Sequence, residues 1–337
     1  MRAGRSFAIR NPCMESENNL DAIAAFPSAA AADRLIAGVP AAARAVRALA
    51  EDGASHVQLR IGDGAALAEA TGAEIERLRG PAAVTVAAGA GPQFALPGAW
   101  EIVRATGKAG DGLVSRWLNR PISQRITWLV LMLPGIRPLH VTLFNALLAV
   151  PMLLCLLSIS PVGLIAGAIL YQVASVLDGV DGEMARATWR TSPEGASLDA
   201  LIDMAINFLF VLGLTVHLAA RDQDAIGWIG GLAIAQMIAG SLLIARRARA
   251  QGGPVGFDYY KRRGAPRGGL FDLAYRAVQV LTGRDCFAFL FMVLTLVGLE
   301  RAALIIFAGV GTIWLIYVAV SPLLRQPVAP RGRGVAS

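Results

Sequence analysis

Residues 178–203 read DGVDGEMARATWRTSPEGASLDALID and interrupt an otherwise apolar stretch of the chain. Four aspartates recur there at intervals of three and four residues, on either side of a short polar break. At 3.6 residues per turn, this spacing places Asp178 and Asp181 on one face of a first helix, and Asp199 and Asp203 on one face of a second. If the chain reverses in the polar break, the two acidic faces can meet.

The helical rise also predicts how deep these carboxylates lie. At about 1.5 Å per residue, Asp178 and Asp203 lie about 12 Å from the turn, and Asp181 and Asp199 about 6 to 8 Å from it. The sequence therefore predicts two tiers of facing carboxylates.

Four like charges among apolar helices require neutralisation, because they repel one another and lose hydration. A divalent cation is the simplest neutraliser, and an all-oxygen ligand set favours Mg²⁺ or Mn²⁺ over zinc. Four carboxylates leave room for two ions. Beside them, Gly182 and Ala185 leave a patch of helix without large side chains, against which a flat or phosphorylated ligand could lie.

The pattern D-x2-D-G-x2-A-R-x8-G-x3-D-x3-D, from Asp178 to Asp203, resembles the signature of the CDP-alcohol phosphotransferases. These integral membrane enzymes transfer a phosphoalcohol from a CDP-linked donor to an acceptor hydroxyl and release CMP. The resemblance implies that Asp178, Asp181, Asp199 and Asp203 hold the metal ions. Asp203 is also the candidate catalytic base.

The resemblance also suggests residues that bind the substrates. Gly182 and Ala185 would line the cytidine side. Pro138-x3-Thr142 resembles the family's P-N-x-x-T turn, with Leu139 where asparagine is usual, so Thr142 is a candidate nucleotide contact. The candidates for binding phosphate on donor or acceptor are Arg186, Arg116, Arg190 and Arg263.

Composition indicates a membrane protein: 55% of residues are hydrophobic, 16% are charged, and the mean hydropathy is +0.54. We expect an all-α integral membrane domain of six transmembrane helices. The predicted spans are 139–159, 162–187, 196–220, 224–248, 285–299 and 301–323.

The charge distribution predicts an orientation. Residues 1–110 are neutral overall, with 11 basic and 11 acidic residues, so residues 111–337 supply the whole net charge of +7. Eighteen of the 20 later cations fall on the side of the polar break, and only Arg221 and Arg301 fall opposite. The positive-inside rule then predicts that the site and the N-terminus face the cytoplasm. We expect the membrane to be a bacterial inner membrane. The cations flank apolar helices, which favours anionic lipid and phosphorylated substrates over nucleic acid.

A small α/β domain is predicted before the membrane domain. The sequence predicts helices at Ala41–Glu51 and Ala65–Arg79 and strands at His56–Ile61 and 82–87, an alternation typical of a parallel sheet. The segment partly resembles a nucleotidylyltransferase. Residues 1–37 lack the glycine-rich loop such an enzyme needs. We therefore interpret residues 1–110 as a degenerate, non-catalytic domain.

The segment from Asp111 to Gly135 predicts an amphipathic, cationic juxtamembrane helix with a bend at Pro121. Its sequence pattern, D-G-x2-S-R-x2-N-R-x-I-S from Asp111 to Ser123, is similar to the segment before the membrane domain in the inositol-phosphate branch of the family. There the enzyme is fused to a cytidylyltransferase. Residues 111–337 are accordingly predicted to be the transferase domain.

The substrate pair stays open. One possibility is transfer from CDP-diacylglycerol to inositol phosphate or a similar phosphorylated polyol. A second is transfer from CDP-inositol to a soluble or lipid alcohol, and glycerol 3-phosphate is a third possible acceptor. The basic loop Gly252–Gly269 could grip an anionic acceptor or only contact headgroups. A homodimer is implied by the resemblance alone.

Two other interpretations of the aspartate cluster are open. The acids could be structural partners of Arg186 and Arg190, or the cluster could serve an ion-coupled transporter. A transporter would not need glycine, alanine and arginine at fixed offsets from the acids.

Overall fold

The computed structural model describes residues 21–108, 111–222, 225–250 and 284–320. This part of the chain is mostly helical, with a small α/β region near its N-terminus, and it forms two compact units. The first unit contains the residues up to Gly107 together with Gln124–Arg137 and Glu183–Arg190. The second contains Lys108–Ser123, Pro138–Gly182 and the described residues from Thr191 onward.

The α/β region consists of short elements. Its strands are β1 (Asp21–Phe26), β2 (Leu35–Ile36), β3 (Val39–Pro40), β4 (His56–Ile61) and β5 (Ala83–Ala88). Its helices are α1 (Ala29–Asp33), α2 (Ala41–Glu51), α3 (Glu69–Leu78) and α4 (Ala99–Ala105).

A parallel sheet forms the centre of this region, as the alternation of helices and strands predicted. Its strand order is β1-β4-β5, with Asp21 opposite His56 and His56 opposite Ala83. Along β4, Val57, Leu59 and Ile61 are buried, so one face of the strand packs on the core while the other is half-exposed. β2 and β3 form a separate antiparallel pair.

The predicted boundaries of α2 and β4 are correct, whereas α3 begins at Glu69 and not at Ala65. Ahead of this start, the Ala65 amide donates to the Asp63 carboxylate and the Ala68 amide to the Asp33 carboxylate, so side chains hold the segment before α3 in a non-helical conformation. β1 was not predicted, because its sequence, DAIAAF, is alanine-rich and lacks apolar-polar alternation.

The loop after β1 differs from a phosphate-binding loop. It reads Pro27-Ser28 and leads into α1, where the Ala29 amide donates to both oxygens of Asp63 at 3.2 Å. The Ser28 hydroxyl accepts from the Ala31 amide at 3.2 Å. A carboxylate therefore already occupies the amide that could meet an anion here.

The remaining helices form the apolar part of the chain. A π-helical turn at Ser115–Asn119 leads directly into α5 (Arg120–Val130), and the helix continues through Pro121. The later helices are α6 (Pro138–Leu157), α7 (Pro161–Ala187), α8 (Pro193–Asp222), α9 (Ile226–Ala250), α10 (Arg284–Leu296) and α11 (Glu300–Val320).

Four of the described helices, α6 to α9, are long and apolar enough to cross a membrane. Helix α10 has only 13 residues, and α11 has 21. The structure thus supports a membrane domain with four candidate spans, and the six-span topology stays a prediction.

An aromatic stack joins α7, α8 and α10. The rings of Tyr171 and Phe210 lie 4.0 Å apart and nearly parallel, and Phe291 stacks 5.5 Å from Phe210. The Tyr171 hydroxyl donates to Asn207 at 2.7 Å, so this buried polar atom is satisfied. Because Tyr171 lies seven residues before Asp178, and Phe210 seven residues after Asp203, the stack sets the two helices in register about two turns from the aspartates.

Candidate metal and nucleotide site

The turn between α7 and α8 has well-defined caps at both ends. The Arg190 amide donates to the Ala185 carbonyl at 2.8 Å and Trp189 adopts a left-handed backbone with φ of 52°, an arrangement typical of a Schellman motif. Pro193 is the first residue of α8, and the Ser192 hydroxyl accepts from the Gly195 amide at 3.0 Å. These signals end one helix and begin the next, so the chain reverses where the polar break predicted.

The reversal brings three of the four aspartates together. Each of Asp178, Asp199 and Asp203 offers a carboxylate oxygen that lies within 4.8 Å of the others, and all three side chains are half-buried. An octahedral Mg²⁺ with ligand distances of about 2.1 Å holds its oxygens about 3 to 4 Å apart, so carboxylate oxygens within 4.8 Å of one another reach such an ion after small side-chain movements. Carboxylate oxygens without a histidine or cysteine also match a hard cation.

Asp181 is not one of the three residues in this group. It is buried and accepts a hydrogen bond from the Thr142 hydroxyl at the start of α6. The Thr142 hydroxyl also lies 3.2 Å from the Pro138 carbonyl. The predicted nucleotide contact Thr142 is thus adjacent to the acidic motif, and the role of Asp181 as a metal ligand stays a prediction.

A polar network holds the juxtamembrane helix against α7. Asn119 is buried; its amide donates to the Ser175 hydroxyl at 3.2 Å and its carbonyl accepts from Gln172 at 2.9 Å. One turn further along α7, a Cβ built on Gly179 would lie 3.1 Å from the Ser123 hydroxyl, so glycine permits this close approach. These contacts therefore hold the part of α7 around Asp178 against the juxtamembrane helix. Sequence reasoning missed it, although Asn119 and Ser123 belong to the juxtamembrane pattern.

Two acids anchor the beginning of that juxtamembrane helix. Asp111 forms an ion pair with Arg120 at 2.7 Å, and Asp285 of α10 accepts from the Ser115 amide at 2.6 Å. Burial alone would raise the pKa of Asp111, but the hydrogen bond and charge of Arg120 outweigh it and lower the pKa below its usual value. Gly112 is needed here because a Cβ would lie 2.7 Å from the Asp285 carboxylate.

The remaining predicted site residues have varied surroundings. Gly182 and Ala185 are half-exposed on α7, and Arg116 is exposed on the π-helical turn. The Arg186 guanidinium donates to the Thr106 carbonyl at 2.8 Å, and Arg190 pairs with Glu74 of α3. Arg263 and the basic loop lie outside the described residues.

The sequence model of the CDP-alcohol phosphatidyltransferase family matches residues 136–320, which include both acidic helices and Thr142. The chain belongs to this family, which confirms the resemblance drawn from the aspartate motif.

Three relatives share the name bifunctional IPC transferase and DIPP synthase. The Aquifex aeolicus protein is 31% identical over 199 residues, which is 59% of this chain and 41% of the relative. The Thermococcus kodakarensis protein is 41% identical over 102 residues, 30% of this chain and 22% of the relative. The Archaeoglobus fulgidus protein is 39% identical over 104 residues, 31% and 20% of the two chains. The matches thus span less than half the length of each relative.

Proposed function

We propose that the protein transfers a substituted phosphate group from a CDP-linked donor to an acceptor hydroxyl and releases CMP. The observation that carries this proposal is the group formed by Asp178, Asp199 and Asp203, because it lies within the region that matches the family. Gly182 and Ala185, half-exposed beside the acids, provide a place where the cytidine could lie.

The carboxylates have two tasks in this reaction. When bound between them, one or two Mg²⁺ or Mn²⁺ ions would offset the pyrophosphate charge and stabilise CMP as leaving group. Asp203 accepts the proton of the acceptor hydroxyl. At the same time the hydroxyl oxygen bonds to the transferred phosphorus, and the bond between this phosphorus and the CMP oxygen breaks. Asp178, Asp181 and Asp199 would hold the ions in position, with the Thr142 hydroxyl orienting the Asp181 carboxylate.

The substrates are proposed at the level of chemical class. The names of the relatives and the juxtamembrane pattern support a phosphorylated polyol acceptor, inositol phosphate first, with CDP-diacylglycerol or CDP-inositol as donor. Arg116, Arg186, Arg190 and Arg263 are the proposed phosphate contacts.

The proposed arrangement of the chain follows from charge and hydropathy. We infer six membrane spans in residues 111–337, with the site and the N-terminus facing the cytoplasm of a bacterial inner membrane. A homodimer is proposed from family membership. We infer that residues 1–110 are non-catalytic, a view supported by the Asp63 carboxylate bound at the start of α1.

The test is a CMP-release assay on purified protein with a panel of CDP-alcohols and acceptors. CMP should form with Mg²⁺ or Mn²⁺, only in the presence of both substrates, and EDTA should abolish it. No CMP from any pair would overturn the proposed reaction. Substrate-independent cation flux in proteoliposomes would instead support a transporter.

The bond between Thr142 and Asp181 gives a specific prediction. Thr142→Val removes the hydroxyl but keeps the volume, leaving a buried carboxylate without this donor. A hydrogen bond to a charged group contributes about 1.5 to 3 kcal/mol, so kcat/KM for CMP formation should fall about 10- to 100-fold.

Thr142→Ser is the matched control, because it retains the hydroxyl and should keep activity close to that of the wild type. Equal activity of the valine and serine variants would show that the bond has no part in the reaction.

A further inference from the structure

Two arginines of the α/β region contact the carboxyl end of the helix that carries Asp178. Arg44, on α2, is 4% exposed, and its guanidinium donates to the Ala187 carbonyl at 2.8 Å. The same guanidinium donates to the carbonyls of Ile36 at 2.6 Å and Ala37 at 2.9 Å. It thereby ties the β2–β3 turn to the last residue of α7.

Arg77, on α3, continues this pattern along the chain. It donates to the carbonyls of Thr188 at 2.9 Å and Trp189 at 3.1 Å. Glu74, one turn earlier on α3, binds Arg77 at 2.6 Å and also pairs with Arg190. Arg44 and Arg77 together therefore bind three consecutive carbonyls, those of residues 187–189.

These contacts occur where a helix most needs partners. The last carbonyls of an α-helix have no intrahelical donors, and the negative end of the helix dipole attracts cations. Burial lowers the pKa of the Arg44 guanidinium to about 10, which still leaves it charged at neutral pH. A buried cation bound to three carbonyls is thus a specific cap and not a surface contact.

Backbone conformation at Trp189 indicates that this cap is maintained against strain. Its φ of 52° is unusual for a bulky residue, and glycine normally occupies this position of the motif. The Arg44 guanidinium lies 4.9 Å from the centre of the Trp189 ring, a cation–π contact that holds the side chain. On the other side, the turn at Gly38 fits closely, since a Cβ there would lie 2.8 Å from Leu131 and 3.4 Å from Thr188.

We propose that the α/β region is a positioning cap for the aspartate helix, with Arg44 and Arg77 as its positioning residues. Helix α7 runs without interruption from Pro161 to Ala187, and Asp178 lies on it nine residues before the capped end. Fixing this end restrains α7 from rotating about its axis and from shifting along it. The positions of the carboxylates are restrained in the same way. The activity part of this proposal rests on the proposed transfer reaction.

The test compares Arg77→Met and Arg44→Lys with Arg47→Met as control. Arg77 is partly exposed, so its variant should fold. Arg47 lies on α2 three residues from Arg44 and pairs with Glu51 of the same helix. Hydrogen exchange at residues 183–192 should accelerate about tenfold in Arg77→Met. Because a misplacement of about 1 Å can lower a rate about 100-fold, kcat should fall 10- to 100-fold, with the donor KM changed less than about twofold.

Arg44→Lys keeps the charge but loses the planar fork, and should lie between the wild type and Arg77→Met. Arg47→Met should match the wild type in both measurements. Unchanged exchange in Arg77→Met would overturn the cap, and faster exchange with unchanged kcat would overturn the positioning role.

A third measurement separates this proposal from the proposed reaction. If the wild-type protein formed no CMP, the reaction would fail, while the cap would still be tested by exchange and by titration with Mn²⁺ alone. Weaker Mn²⁺ binding in Arg77→Met would support positioning of the carboxylates, and equal binding would overturn it.

Discussion

The Asp203→Asn variant is expected to release CMP about 1,000-fold more slowly than the wild type, in the range that a lost general base produces. Asparagine keeps the size of the side chain but cannot accept the proton of the acceptor hydroxyl. Binding of the CDP donor should remain measurable, because Asp178 and Asp199 still hold the rest of the site together. The measurement is a single-turnover CMP assay beside equilibrium binding of the donor.

Glu194→Gln provides the matched control on the same helix. Glu194 is an exposed carboxylate in the first turn of α8 and should tolerate the change with activity like that of the wild type. Wild-type turnover by Asp203→Asn would remove its role as base.

Asp178→Asn is expected to abolish detectable CMP release at physiological Mg²⁺. It removes one of three carboxylates whose oxygens lie within 4.8 Å of one another, leaving two on α8. Loss of even an outer partner of a metal ligand weakens affinity about 10- to 100-fold, so loss of a direct ligand should cost at least that much. Titration of the rate with Mg²⁺ measures the effect.

This result differs from that expected for Asp203. Excess Mg²⁺ should partly restore Asp178→Asn, which loses a metal ligand only. It should leave Asp203→Asn slow, because that variant loses the proton acceptor as well as a ligand. An unchanged Mg²⁺ requirement in Asp178→Asn would exclude this residue as a ligand.

The sequence predicted several local features that a short pattern determines. Helix α2 and strand β4 were predicted to the residue, since apolar periodicity and the Asp52-Gly53 turn delimit both. The acidic faces of the two helices were also predictable, because helical spacing dictates which residues share a face. The polar break between them indicated where the chain could reverse.

Partners distant in sequence could not be predicted in this way. Arg190 was a candidate phosphate contact, yet the structure pairs it with Glu74, 116 residues away. The bond between Thr142 and Asp181 joins residues 39 positions apart, and its geometry depends on how α6 packs beside α7. The strand β1 was missed because its alanines carry no periodic signal and only pairing with β4 makes it a strand.

The central claim, that the facing aspartates bind a divalent cation, is tested most directly by Mn²⁺ titration followed by electron paramagnetic resonance. Wild-type protein should bind Mn²⁺ in competition with Mg²⁺, and the Asp178→Asn/Asp199→Asn double variant should lose this binding while Glu194→Gln retains it. Equal Mn²⁺ binding by the wild type and the double variant, or no binding by either, would contradict the account.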